Sequence, residues 1–131
     1  MFMRVEYFAE GSADCPLILL YGRDSKDAQI LSEALQKLSE FDEGRLAIHE
    51  LPGFSAVDGC ELFASHFPTD VGVKMIQSPN RFECFLRPQS LENIVGLLEP
   101  FCRSENVSAT SFQYLDASGD AKLLISTERA W

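Results

Sequence analysis

The sequence predicts an α+β fold: duplicated β-α-β-β units with additional strands, about eight mostly antiparallel strands and two helices packed on one face of a curved sheet. Three observations carry that expectation. Ser25–Glu40 and Ser90–Arg103 place apolar residues at helical spacing, so each has one stripe to bury. The stretches around them alternate apolar and polar residues, or run apolar throughout, as strands do. The order strand, helix, strand, strand then occurs twice, over about residues 15–67 and 82–127.

Taken in order, Met3–Phe8 reads as a strand because Val5 and Tyr7 alternate with Arg4 and Glu6. Gly11–Asp14 is turn chemistry. Leu17–Tyr21 has no polar alternation, which suggests a strand covered on both faces or central in its sheet. Gly22 ends it, and Asp24 or Ser25 can cap the first helix by accepting from its free amides. That helix carries Ala28, Leu31, Leu35 and Leu38 on its stripe and turns Lys26, Glu33 and Lys37 to water. Arg45–Leu51 follows as a strand, Pro52-Gly53 breaks it, and Phe54–Gly59 is a loop leading into the strand Cys60–Phe67.

Val71–Gln77 and Phe82–Arg87 read as strands joined through Ser78-Pro79-Asn80. Phe82, Cys84 and Leu86 alternate with Arg81, Glu83 and Arg87, a core-in, solvent-out pattern. Pro88 stops that strand. The second helix carries Leu91, Ile94, Leu98 and Phe101, and Pro100 should kink or end it by removing a hydrogen bond. Ser108–Leu115 and Ala121–Thr127 close the chain as strands around the turn Asp116–Asp120. No linker or low-complexity segment interrupts it, so one domain with an internal pseudo-twofold repeat is expected.

The two copies agree in register as well as in order. Ala28, Leu31, Leu35 and Leu38 are spaced like Leu91, Ile94, Leu98 and Phe101. His49-Glu50-Leu51 stands against Gln113-Tyr114-Leu115, and Leu62 to Ser65 against Leu123 to Ser126. This element order is similar to that of the tandem modules in bacterial effector-binding domains. Shifted by one strand, it resembles the paired units of glyoxalase-like proteins. The resemblance is one of topology, without a residue motif, and fold does not fix function.

Composition narrows the function classes. The 131 residues are 46% hydrophobic, enough for a folded core, and carry a formal charge of -9. Such a balance disfavours nucleic acid and anionic membranes, which are bound through Lys and Arg, and suits a basic protein or a cationic ligand. The longest apolar run, Pro16–Tyr21, is too short to span a bilayer, and MFMRVEYF is a strand and not a signal peptide, so a cytoplasmic location is expected. Cys15, Cys60, Cys84 and Cys102 lack a C-x-x-C pair and sit among apolar neighbours, which predicts four reduced, buried thiols.

Catalytic signals are weak. There is no G-x-S-x-G elbow, no glycine-rich phosphate loop and no cysteine beside a helix start. His49 and His66 are the only histidines and the only candidates for metal ligands, with Glu50 or Asp58. Adjacent strand residues point to opposite faces, so His49 and Glu50 cannot both serve one metal without a bulge. The expectation is no metal, no cofactor and no enzyme.

The functional reading is a non-catalytic binding or interaction module. One form of it binds a small cationic or aromatic ligand at the seam between the repeats, on Glu50 and Glu61 with walls from Tyr7, Tyr21, Phe54, Phe63 and Tyr114. The alternative is an acidic, antitoxin- or immunity-like module that covers a basic protein. A glyoxalase-like metal enzyme using His49 is third. An enclosed apolar cavity at the seam would favour the first, and a filled seam with a flat acidic face the second.

Overall fold

A computed structural model describes residues 3–40, 44–77, 79–103 and 111–131. Among them the chain forms nine strands and two α-helices, an α+β arrangement. In chain order these are β1 (Met3–Phe8), β2 (Leu17–Tyr21), α1 (Ser25–Glu40), β3 (Arg45–Ala47), β4 (Phe54–Ala56), β5 (Glu61–His66), β6 (Gly72–Gln77), β7 (Arg81–Leu86), α2 (Pro88–Leu98), β8 (Phe112–Asp116) and β9 (Lys122–Ser126).

The strands do not make one sheet. They divide into a five-stranded sheet of order β4-β1-β2-β9-β8 and a four-stranded sheet of order β3-β5-β7-β6. Both are mixed, because each has a parallel pair inside it: β2 with β9 in the first, β5 with β7 in the second. Alternation reveals which face of a strand is buried but not which strands pair, so the expected single, mostly antiparallel sheet gives way to two.

Register links the two sheets closely. In the first, Ile18 stands against Leu123 and Leu20 against Ile125; in the second, Phe82 stands against Leu62 and Cys84 against Ala64. The antiparallel neighbours follow suit: Val5 faces Leu20 as Val73 faces Cys84. Gln113 faces Ile125 as Leu46 faces Ala64.

Local chemistry sets the element ends. The Asp24 carboxylate accepts from the Lys26 amide at 2.9 Å and caps α1. The strand expected over Arg45–Leu51 stops at Ala47, because Ile48 is buried in a single 3₁₀ turn closed by the Leu51 amide on the Ile48 carbonyl. The expected loop Phe54–Gly59 contains β4, which pairs in parallel with the start of β1. Pro88 opens α2 instead of preceding it, since a proline fits the first helical turn. Pro100 falls in the 3₁₀ turn Glu99–Cys102 that ends the helix. Of the strand expected over 108–115, residues 108–110 lie outside the described residues, as does Ser78.

One core unites both sheets and both helices. Leu31 and Leu35 of α1 and Leu91, Ile94 and Leu98 of α2 pack with Ile18, Leu20, Leu123 and Ile125 of the first sheet and Leu62, Phe82, Cys84 and Leu86 of the second. Each fully buried leucine contributes about 1.5–3 kcal/mol. β2 is covered on both faces, as its unbroken apolar run predicts: Ile18 and Leu20 enter the main core, Leu17, Leu19 and Tyr21 a smaller one with Leu124.

Candidate interaction surface

The seam between the two halves is filled. Leu20, Leu31, Ile48, Ala64, Ile94 and Leu123 surround an apolar void of only about 10 Å³. That is about the room one water needs, and no polar group is there to hold one. The cationic or aromatic ligand expected at the seam has no space there.

The seven candidate residues do not converge. Phe54 is buried in the core, and Tyr7 packs at its edge with its ring 4.5 Å from that of Phe82. Glu50 is exposed on the 3₁₀ turn after β3. Tyr21 and Tyr114 lie on the outer face of the first sheet, Glu61 and Phe63 on the outer face of the second. Tyr21 donates to Glu6 at 2.7 Å and Tyr114 to Asp14 at 2.9 Å.

The histidines sit apart in role. His49 hydrogen-bonds through Nδ1 to the Leu62 amide at 3.0 Å and meets the Phe63 ring edge-on at 5.1 Å. His66, at the end of β5, lines a shallow open groove with Phe67 and Arg87. Among the described residues no three His, Cys, Asp or Glu side chains gather closely enough to hold a metal. All four cysteines are free, but only Cys60 and Cys84 are buried; Cys15 and Cys102 are half-buried, at a strand approach and a helix end that the core does not enclose. Burial pushes the Cys60 thiol up to about 12 and raises that of Cys84 as well.

The outer sheet faces differ. On the second sheet, Arg45 lies 3.7 Å and Arg81 5.1 Å from the centre of the Phe63 ring. Glu83, buried between them, pairs with Arg45 at 3.0 Å and accepts from the Ser65 hydroxyl. This face is a cross-strand network of charges around the Phe63 ring. On the first sheet the matching positions, Leu19 and Leu124, are apolar and covered.

The helix layer is built differently. α1 and α2 pack side by side and leave a groove of about 360 Å³ open to solvent, lined by Gln29 and Glu33 of α1, Val95 and Gly96 of α2, and Glu99 and Cys102 of the following turn. Gln29 holds the end of the second helical segment by donating to the Cys102 carbonyl at 2.8 Å. Gly96 is exposed on the groove, and a Cβ there would touch nothing. A glycine inside a helix costs about 0.5–1 kcal/mol relative to alanine. Nothing among the described residues requires it. Beside it Leu97 is exposed, at 36%.

Charge on this layer is mixed: Glu33, Glu40 and Glu92 stand with Lys26 and Lys37 of α1. Among the described residues, eight of the chain's eleven lysines and arginines are engaged in ion pairs, including Arg45 with Glu83, Arg87 with Asp70 and Arg129 with Glu6. Glu33, Glu40 and Glu92 on the two helices are exposed and take part in none of these pairs. Sequence reasoning passed over Gly96 and Leu97. The available signal was a glycine in the middle of an otherwise continuous helical stripe.

No family model matches the chain, and no curated protein and no solved structure matches it.

Proposed function

We propose that this chain is a non-catalytic interaction module of the cytoplasm that docks a basic, amphipathic segment of a partner protein in the groove between α1 and α2. The observation that carries the reading is Gly96. A bare helix backbone on an open groove lowers the stability of the isolated chain and gives it nothing in return. It does let a second backbone approach closely, as small residues at helix interfaces do. The lining supplies the sign of the partner: Glu33 and Glu99 stand beside Val95 and the bare Gly96, with Glu92 one turn before Gly96 on α2. Basic residues flanking an apolar stripe complement that arrangement.

The closed seam supports this reading over the small-ligand one, which would need a cavity of a few hundred Å³. We also infer that the two halves are an internal duplication. It rests on the matched registers of the two sheets, in which β2-α1-β3-β5 corresponds to β7-α2-β8-β9. In that correspondence Leu46 matches Gln113, and His49-Glu50-Leu51 has no counterpart, because those residues form a turn.

A designed amphipathic helix of leucine and lysine is the probe. Gly96→Ala should raise stability by about 0.5–1 kcal/mol yet weaken probe binding several-fold, and Glu33→Gln with Glu92→Gln should weaken it further. Glu50→Gln with Asp58→Asn, the same charge change away from the helices, should have little effect. Equal losses from both pairs would reduce the interaction to net charge and sink the groove as its site.

A further inference from the structure

The outer face of the first sheet is constructed to be covered. Leu17, Leu19 and Leu124 on it are completely buried, beneath Phe8, Cys15 and Trp131. The second sheet, with the same strand pairing, puts Glu83 against Phe63 where the first puts Leu19 against Leu124. Its face is bare and polar. The first sheet's apolar platform therefore answers to its cover, to which the segment that follows β9 contributes Trp131.

That segment is held by side chains and turns, not by a strand ladder. Arg129 forks onto Glu6, with Nε at 2.9 Å and a terminal nitrogen at 2.7 Å. Its guanidinium also lies 5.0 Å from the Phe8 ring. Trp131 meets Phe8 edge-on at 5.0 Å and packs against the cluster of Leu17, Leu19, Tyr21 and Leu124. Ser126 donates to the Ala130 carbonyl at 2.7 Å, and Glu128 pairs with Arg23 at 3.3 Å. Two carboxylates on this face are held by other groups. Tyr21 holds Glu6, while Tyr114 and Lys122 hold Asp14, so each carboxylate has a partner outside the segment. A fixed pair of carboxylates with aromatic rings between them is the arrangement of a recognition site.

We propose that this face is a binding site for a segment carrying an arginine and an aromatic ring two residues further on, and that Arg129 and Trp131 occupy it as an exchangeable internal ligand. A partner segment of the same chemistry gains the site by displacing them. Tethering gives the internal ligand an effective concentration in the millimolar range, so the site is closed to weak competitors. The proposal is independent of the helix groove, which lies on other elements.

Trp131 is the chain's single tryptophan, which makes the test direct. The full chain carrying Arg129→Ala and Trp131→Ala has a disarmed internal ligand and no tryptophan. Titrated with the peptide Thr-Glu-Arg-Ala-Trp, it should give a saturable blue shift of the peptide's emission. The peptide with alanine for arginine should bind at least tenfold more weakly, and the unsubstituted chain should not shift the emission of a fluorescent version of the first peptide. No binding to the disarmed chain, or equal binding of both peptides, overturns the proposal. If the double variant does not fold, Glu6→Gln in the otherwise intact chain decides: acrylamide quenching of Trp131 should at least double, and unchanged quenching overturns it.

Discussion

Gly72 and Gly119 meet backbone to backbone where the two sheets join, and neither position has room for a Cβ. Around them the Asp120 amide donates to the Val73 carbonyl at 2.9 Å, and Val73 bridges to Ala121. The contact ties the edge of the second sheet to the hairpin of the first, which keeps both helices over one core. Gly72 also has a φ of +78°, a conformation that side chains adopt with strain.

The two positions should therefore respond unequally to alanine. Gly119→Ala introduces overpacking, at about 1–3 kcal/mol. Gly72→Ala adds backbone strain of about 1–3 kcal/mol to the same clash. Urea unfolding of the two variants checks this. Equal and small losses would mean that the sheets are not joined here.

The inferred duplication makes Leu31 and Ile94 equivalent. Both are buried in the same core and border the same small void. Leu31→Ala and Ile94→Ala should each cost about 2–5 kcal/mol, the range for truncation in a closed core. A loss below about 1 kcal/mol at either one would show that one helix is peripheral to the core.

How much of this was legible in the sequence varies by element. α1 was legible, because Asp24 or Ser25 can cap it and Ala28, Leu31, Leu35 and Leu38 recur at helical spacing over about three turns. The burial of β2 on both faces was legible in its five unbroken apolar residues. β4 was not, since three residues after Pro52-Gly53 carry too little pattern to distinguish a strand from a loop. Nor was the partition into two sheets, which depends on strand pairing and on the close approach at Gly72 and Gly119. For the site, the expected set of Glu50 and Glu61 with Tyr7, Tyr21, Phe54, Phe63 and Tyr114 is spread over the core, a turn and two outer sheet faces. Tyr21 and Tyr114 do face carboxylates, Glu6 and Asp14, but on an outer sheet face. The seam instead fills with leucines because both helix stripes and both sheets are apolar toward it.

Acid should act on the fold through its paired carboxylates. Arg129 is the main cause that holds the Glu6 carboxyl below its ordinary value, with the Tyr21 hydroxyl assisting and burial opposing. The Arg87 amide does the same for Asp70, and the Tyr114 hydroxyl and Lys122 for Asp14. A carboxyl lowered on folding contributes stability that is complete above the unfolded-state pKa and lost as the pH falls through the folded-state value. Asp27 has the opposite sign: burial, with Asp24 nearby, raises it, so its protonation favours the fold. Stability should thus fall below about pH 4, and Arg129→Ala should lower the urea midpoint at neutral pH but progressively less at acid pH, as Glu6 becomes protonated in both states. An equal loss at both pH values would assign Arg129 a packing role in place of an electrostatic one.

The central claim, that the groove between the helices takes a basic amphipathic segment, is tested most directly by backbone amide shifts during titration with the leucine–lysine helix. The account predicts perturbations confined to Gln29, Glu33 and Gln36 on α1 and to Val95, Gly96, Leu97 and the Glu99–Cys102 turn, weakening steeply with added salt. Perturbations centred on Glu50 and Asp58, or spread evenly over every exposed carboxylate, would contradict it.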